Sequence, residues 1–169
     1  MTLNRRHLGE VAREWTEELG DVPVGPFLIA ATIQRLSQYI EREFARVARK
    51  YGIGPGDLRI LFVLARMNPA HQLAPKDLIK ELLVTSGAVS KQVDRLAEQG
   101  LVTRIADPDI LRGVLIRLEP EGRKIADDAA REIMTENCGL ETLAEAQSTR
   151  ILRTLNGLLT VVESHATAE

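Results

Sequence analysis

Small, hydroxyl-bearing and basic residues cluster between positions 85 and 95, and their types suit contact with duplex DNA. At 3.6 residues per turn one side of a helix over 86–99 is apolar and must face the core, namely Val89, Val93, Leu96 and Ala97. The opposite side and the N-terminal tip offer little bulk, donors for base edges and phosphates, and the positive end of the helix dipole. We predict DNA contacts from Thr85, Ser86, Gly87, Ser90, Lys91 and Arg95.

The segment 106–113 lies between two stretches of alternating pattern and is predicted to form the tip of a β-hairpin. Arg112 in this tip is a candidate for contact with the minor groove or with phosphates. Asp107 and Asp109 would repel phosphate unless paired with Arg112 or Arg104, and we favour a turn-forming role for both acids. A short helix, a tight turn, a capped helix and a hairpin follow one another, and this order favours DNA binding over an ordinary solvated helix face.

Charge limits how such binding can work. The 169 residues carry 22 Lys and Arg against 24 Asp and Glu, a formal net charge of −2. The segment 75–124 holds nine basic and eight acidic residues. Affinity must therefore come from the placement of single charges, and binding to random DNA should be modest.

The sequence contains no residue set with the spacing of a catalytic or metal centre. The histidines at 7, 71 and 165 are scattered, and neither a phosphate-binding glycine loop nor a nucleophile elbow occurs. For the single cysteine, Cys138, we expect a packing role without reactivity, and redox sensing is the alternative. We expect no enzyme activity, no metal and no cofactor. Without a signal peptide or a membrane-length apolar run, we expect a cytoplasmic protein that does not associate with membranes.

Periodicity and breakers place the elements that hold these residues. Thr85 is expected to cap the helix over 86–99, and Gly100 to end it. The apolar stretch 58–67 is typical of a buried central helix. The remaining predictions are helices over 3–19 (with Leu3, His7, Val11, Trp15 and Leu19 every fourth residue), 27–50, 75–82, from about 120, and about 140–163, and strands over 101–105 and 114–118.

Three segments together resemble one known family. They are Val84-Thr-Ser-Gly-Ala-Val-Ser-Lys-Gln-Val-Asp-Arg-Leu-Ala-Glu-Gln-Gly-Leu-Val-Thr-Arg104, Asp107-Pro108-Asp109 and Leu118-Glu-Pro-Glu-Gly-Arg123. In this order and spacing they are similar to the MarR family of transcription regulators. The resemblance extends over about 27–165 and is strongest over 75–125. At the wing, Ile110 and Leu111 stand where the family usually has an acid and an arginine, whereas Arg112 keeps the last arginine.

The resemblance implies a fold class that is mainly α: a winged helix-turn-helix with a two-stranded wing, flanked by N- and C-terminal dimerisation helices. It implies a homodimer on a pseudo-palindromic operator of double-stranded DNA, with recognition helices in successive major grooves and wings on minor grooves. We assign 1–54 to N-terminal helices for dimerisation and a possible ligand lobe, 55–119 to the DNA-binding lobe, and 120–169 to C-terminal dimerisation helices. The apolar stripes over 33–51 and 151–162 would form the dimer surface, and by family habit the regulator would be a repressor.

The extra N-terminal helix is similar to that of the urate-responsive branch of the family, which implies a small-molecule anionic effector. Trp15 and Arg104 match the ligand-binding residues of that branch. At the other two positions this chain has Arg59 where the branch has an acid, and Gln92 where the branch has an arginine on the recognition helix. Because two of four positions differ, we do not predict urate. Arg59 on the otherwise apolar central helix needs a partner, which a ligand carboxylate beside Trp15 would supply, so we predict a small aromatic or other organic acid.

Two interpretations of Arg59 remain open: it binds the carboxylate of that ligand beside Trp15, or it pairs with an acid of the protein. The function also has an alternative. A winged-helix module that binds another protein would lack specific duplex binding and would tolerate Lys91→Ala.

Overall fold

The computed structural model describes residues 6–20, 22–67, 70–136 and 140–166. They fall into two compact units, the first ending at Ile133 and the second beginning at Met134. The elements in chain order are α1 (Arg6–Leu19), α2 (Gly25–Lys50), α3 (Pro55–Arg66), β1 (Gln72–Leu73), α4 (Pro75–Leu82), α5 (Ser86–Glu98), β2 (Val102–Ala106), β3 (Val114–Leu118), α6 (Pro120–Thr135) and α7 (Glu145–Ala166).

The predicted architecture is confirmed: the protein is mainly helical and carries a small wing. The wing has one strand more than predicted, because β1 joins β3 on the side away from β2 to give the antiparallel order β1-β3-β2. Residues 102–106 pair with 114–118 in a continuous register, and Gln72 lies opposite Arg117. Strand β2 was predicted over 101–105 and is shifted by one residue, to Val102–Ala106.

Local chemistry accounts for the helix boundaries around the helix-turn-helix. Helix α3 begins at Pro55, where a missing N–H costs nothing, and the carboxylate of Asp57 accepts a hydrogen bond from the Gly54 N–H at 3.0 Å. Helix α4 also begins with proline, Pro75. Thr85 caps α5 as predicted, its Oγ1 accepting from the Ala88 N–H at 3.3 Å. Gly100 follows α5 at φ +70°, the left-handed conformation that favours glycine.

The core of the first unit forms where α3, α4, α5 and the wing meet. Helix α3 is buried along most of its length, as its apolar sequence predicts, and Leu58, Ile60, Leu61 and Leu64 have no exposed surface. From α5 the buried residues are Val89, Val93 and Leu96, which fixes this helix by its inner face. Helix α6 adds Ile125, Ala126 and Ala129 to the same core.

The apolar stripe predicted over 33–51 is divided between two environments. Val47 is fully buried in its own chain, and Phe44 and Tyr51 pack against the same core. The prediction that Val47 contributes to a dimer surface is therefore wrong, since its own chain covers it completely, whereas Phe44 and Tyr51 are only partly buried. Ile33 and Leu36, in contrast, are 39% and 49% exposed.

The second unit consists mainly of α7. Its apolar residues at coiled-coil spacing, Ile151, Leu155 and Val162, are exposed within this unit. Leu3, from the predicted first helix, and Cys138 lie outside the described residues. Across the described part of the chain, no helix has both the length and the apolar composition to cross a bilayer.

Candidate nucleic-acid interface

Helix α5 presents the predicted polar residues on its solvent side. Ser86, Gly87, Ser90 and Lys91 are all exposed, in contrast to the buried inner face. A methyl group added at Gly87 would meet no atom within 4 Å, so this first turn is open to a close neighbour. Thr85 uses its oxygen as a helix cap, which leaves its O–H free to donate. The first turn is therefore small, polar and accessible.

Two ion pairs fix the orientation of α5. Arg95 donates two hydrogen bonds to the buried carboxylate of Asp57, at 2.7 and 3.3 Å. Hydrogen bonding to Asp57, and then its charge, raise the pKa of Arg95 above its ordinary value, so the guanidinium remains charged. Arg104 on β2 pairs with Asp94 on the outer side of α5 at 2.6 Å. The helix is thereby tied to α3 at one point and to the wing at another.

These pairs revise the roles that the sequence suggested. Arg95 is half exposed, but its guanidinium already holds Asp57, so its main contact here is within the protein. Neither acid was predicted from the sequence as a partner of these arginines. Asp57 carries a local signal, since it stands three residues after the N-cap Gly54, whereas nothing local marks Asp94 as the partner of Arg104.

The hairpin tip between β2 and β3 is closed by its own hydrogen bonds. The Gly113 N–H donates to the Ile110 carbonyl at 2.7 Å, and the Asp107 N–H donates to the Gly113 carbonyl at 3.0 Å. The Asp107 side chain accepts from the Asp109 N–H at 2.9 Å, which supports the turn-forming role expected of these acids. Arg112 adopts φ +62° and is exposed at this tip.

The four predicted ligand residues have separate surroundings. Arg59 pairs with Glu41, with one hydrogen bond at 3.2 Å, and lies 5.2 Å above the Phe44 ring, so the alternative of a protein acid is the one observed. Trp15 meets Phe27 edge to face at 6.4 Å and lines an apolar cavity of about 210 Å³ between α1 and the start of α2.

Gln92 and Arg104 lie nearer to the wing and α3. The Gln92 amide packs so closely on Gly56 that any side chain there would collide with it, and its buried Oε1 has no hydrogen-bond partner among the residues that the structure describes. Arg104 lines a second cavity, of about 280 Å³, between α4, α5 and the wing. Its other lining residues are Pro75, Ile79, Ser86, Val89, Ser90, Val93, Val114 and Ile116.

A helix presented by its polar first turn, beside a three-stranded sheet with a protruding hairpin, defines a winged helix-turn-helix protein. A family model described as MarR family matches residues 51–112. The chain is 26% identical over 159 residues to the HTH-type transcriptional regulator PecS of Dickeya dadantii, covering 94% of this chain and 93% of PecS. It is 32% identical over 95 residues to the multiple antibiotic resistance protein MarR of Escherichia coli, covering 55% of this chain and 65% of MarR.

Solved structures agree with the fold. Sco5413, a MarR family transcriptional regulator from Streptomyces coelicolor, superposes with a TM-score of 0.73 at 25% identity, covering 84% of this chain and 98% of Sco5413. A cysteine-to-serine mutant of E. coli MarR, solved with operator DNA, superposes with a TM-score of 0.67 at 23% identity, covering 86% of this chain and 97% of the mutant. At this identity the similarity concerns the fold alone. The fold is a winged helix-turn-helix, and the chain is similar to transcription regulators of the MarR family.

Proposed function

We propose that this protein is a homodimeric repressor that binds a pseudo-palindromic operator and is released from it by a small organic acid. The exposed first turn of α5, with Ser86, Ser90 and Lys91 on a helix anchored by its buried face, is the observation that carries the proposal. It offers hydroxyl and ammonium donors where a recognition helix contacts base edges and phosphates.

Within this proposal the contacts to DNA have different roles. Ser90 and Lys91 face base edges in the major groove, while Thr85, Ser86 and Gly87 bring the helix N-terminus close to a phosphate. Arg95 orients the helix through its ion pair with Asp57, and the exposed part of its guanidinium adds positive charge near the DNA. Arg112 contacts the minor groove from the wing.

Backbone strain supports a functional role for Arg112. A residue with a side chain costs about 1 kcal/mol at positive φ, where glycine is tolerated, and Arg112 adopts φ +62° at an exposed position. Among the described residues, its guanidinium has no hydrogen-bond partner that would offset this cost. Residues other than glycine that are held at such conformations cluster at binding and active sites. We expect Arg112→Gly to stabilise folding by about 0.5 kcal/mol while weakening DNA binding, measured by thermal unfolding and fluorescence anisotropy.

The homodimer is supported by apolar surface that each unit leaves uncovered. On the N-terminal half of α2, one side of the helix carries Ile29, Ile33, Leu36 and Ile40, which are between 38% and 50% exposed, and α7 presents a second apolar face. Contiguous apolar faces of this kind are typical of protein interfaces. In the proposed assignment, residues 1–54 and 120–169 supply the dimer contacts, and 55–119 the DNA-binding lobe.

For the effector, the cavity beside Arg104 fits an aromatic carboxylate. Ile79, Val93 and Ile116 provide an apolar lining for a ring, and Arg104 provides a guanidinium that now holds Asp94. A ligand carboxylate would take the place of Asp94. Because Ser86 and Ser90 line the same cavity, its occupation would change the surface that meets DNA. In this proposal Gln92 shapes the neighbouring contact with α3, while Trp15 and Arg59 would need to lose Phe27 and Glu41 to bind the acid.

The test is fluorescence anisotropy of the full chain with duplexes from the DNA upstream of its own gene, against random duplex as competitor. We expect saturable binding that is at least about 1,000-fold tighter than to random DNA and that weakens with salt. Lys91→Ala should reduce affinity about tenfold, whereas Arg131→Ala, which removes an exposed arginine on α6, should not. Equal binding to random duplex, with Lys91→Ala tolerated, would favour a protein-binding module.

The effector is tested in the same assay by adding benzoate as the probe acid. Release of the duplex by benzoate, lost in Arg104→Gln but kept in Arg59→Gln, would support the Arg104 cavity. Loss in Arg59→Gln alone would move the site to Arg59, and release by neither benzoate nor a series of other aromatic acids would contradict an acid effector.

A further inference from the structure

The wing tip of this chain carries Ile110 and Leu111 at the two positions that depart from the family pattern, and both side chains are exposed. Leu111 is 95% exposed and Ile110 is 48% exposed, although both are large and apolar. Burying a leucine side chain is worth about 1.5 to 3 kcal/mol relative to leaving it in water. A fully exposed leucine at a binding surface therefore has much to gain from a partner that covers it.

The backbone holds these side chains in one place. The hydrogen bond from the Gly113 N–H to the Ile110 carbonyl closes a four-residue turn with Leu111 and Arg112 at its centre. A positive φ at the third residue, Arg112, is the pattern of a type II turn. A side chain on Gly113 would collide with Asp107 and Ile110, so the turn packs tightly on its own stem. Leu111 thus projects from a preorganised tip.

Charge makes the phosphate backbone a poor partner for this tip. Between 107 and 112 the chain carries two acids and one arginine, a net charge of −1. Arg104, the nearest other cation on the wing strands, is paired with Asp94. Contacts with phosphates therefore contribute little at this tip, and Arg112 has to offset the repulsion from Asp107 and Asp109 when Leu111 approaches the duplex.

We infer that Leu111 acts as an apolar wedge, which enters the minor groove of the operator and partly unstacks a base step, with Ile110 behind it and Arg112 beside it. Minor-groove proteins insert leucine, isoleucine and similar side chains between base steps and bend the duplex toward the major groove. The steps that unstack most easily are pyrimidine–purine steps such as TA. The inference rests on the proposed function and adds to it a specificity residue that acts through DNA deformability.

The experiment uses the full chain and the operator duplex located by footprinting on DNA upstream of its gene. End-to-end fluorescence energy transfer reports bending, and 2-aminopurine at the step beneath the wing reports unstacking. We expect wild-type protein to shorten the end-to-end distance and to raise 2-aminopurine fluorescence at a TA step. Leu111→Ala should abolish the rise, reduce the bend and weaken binding about tenfold, with an unchanged thermal midpoint because the side chain is exposed.

Two further variants separate a wedge from a general surface effect. Leu83→Ala removes a leucine of similar exposure, 88%, from the turn before α5, and it should leave the 2-aminopurine signal unchanged. Leu111→Arg should bind with a salt dependence that is steeper by about one counterion and without unstacking.

Outcomes that overturn the inference are distinct from those that overturn the function. Tight operator binding by wild-type protein with no unstacking, or with unstacking that Leu111→Ala retains, overturns the wedge and leaves the regulator intact. Failure of wild-type protein to bind any upstream duplex above random DNA overturns both.

Discussion

The two halves of α2 are continuous in sequence pattern but differ in environment. Over residues 41–50, Val47 and Ala48 are fully buried, and Arg46 and Lys50 pair with Glu132 of α6. Over residues 25–40 the same apolar spacing continues, yet Ile33 and Leu36 remain exposed. The difference teaches that helical periodicity predicts a face that must be covered and does not say which chain covers it.

The largest expected effect comes from placing charge on the uncovered half. Leu36→Asp combined with Ile40→Asp should leave each chain folded and weaken the proposed homodimer by about 1,000-fold, since unpaired carboxylates buried at an interface cost several kcal/mol. Sedimentation velocity over a range of concentrations measures this change. As a control, Arg49→Asp on the same helix but on an exposed polar position should keep the dimer. A doubly substituted chain that still dimerises fully would place the interface elsewhere.

A smaller effect is expected in the covered half. Val47→Ala should lower the free energy of unfolding by about 2 kcal/mol, because it removes two buried methyl groups and leaves a cavity. Urea denaturation by circular dichroism checks the value. Ile33→Ala is the matched variant on the exposed half, and its effect should depend on protein concentration, whereas loss of the Val47 methyls acts within one chain. Equal and concentration-independent losses would contradict the division of α2.

Much of the fold was predictable because it depends on local signals. Thr85 caps α5, Pro75 begins α4, and the strands 102–106 and 114–118 lie within one residue of the alternating segments, whereas α3 begins at Pro55, three residues before its predicted start. Strand β1 was missed because two residues are too short to show a period. It forms where the Leu118 N–H donates to the carbonyl of His71, whose φ of +46° no sequence rule anticipates.

The site was predictable in part for a similar reason. The exposed face of α5 follows from spacing alone, and its hydroxyl and basic residues lie where the sequence placed them. The contacts that orient this helix join Arg95 to Asp57 and Arg104 to Asp94. The first pair spans 38 residues, and an acid that far along the chain carries no sign of its partner. Arg59 illustrates the same limit, since its acid, Glu41, lies on a different helix.

The smallest effect expected is a pH dependence at the covered half of α2. Hydrogen bonding from Lys50, and secondarily from Arg46, lowers the pKa of Glu132 below its ordinary value of 4.5, although burial opposes the shift. A depressed folded-state pKa means that the contribution to stability is complete above the unfolded pKa and disappears as pH falls through the folded one. Glu132→Gln should therefore lower the urea midpoint near pH 7 and have progressively less effect toward pH 3. Glu17→Gln, which changes an exposed acid on α1, should show no such convergence. A difference between wild type and Glu132→Gln that stays constant from pH 7 to pH 3 would mean that packing of the side chain, and not its charge, joins α2 to α6.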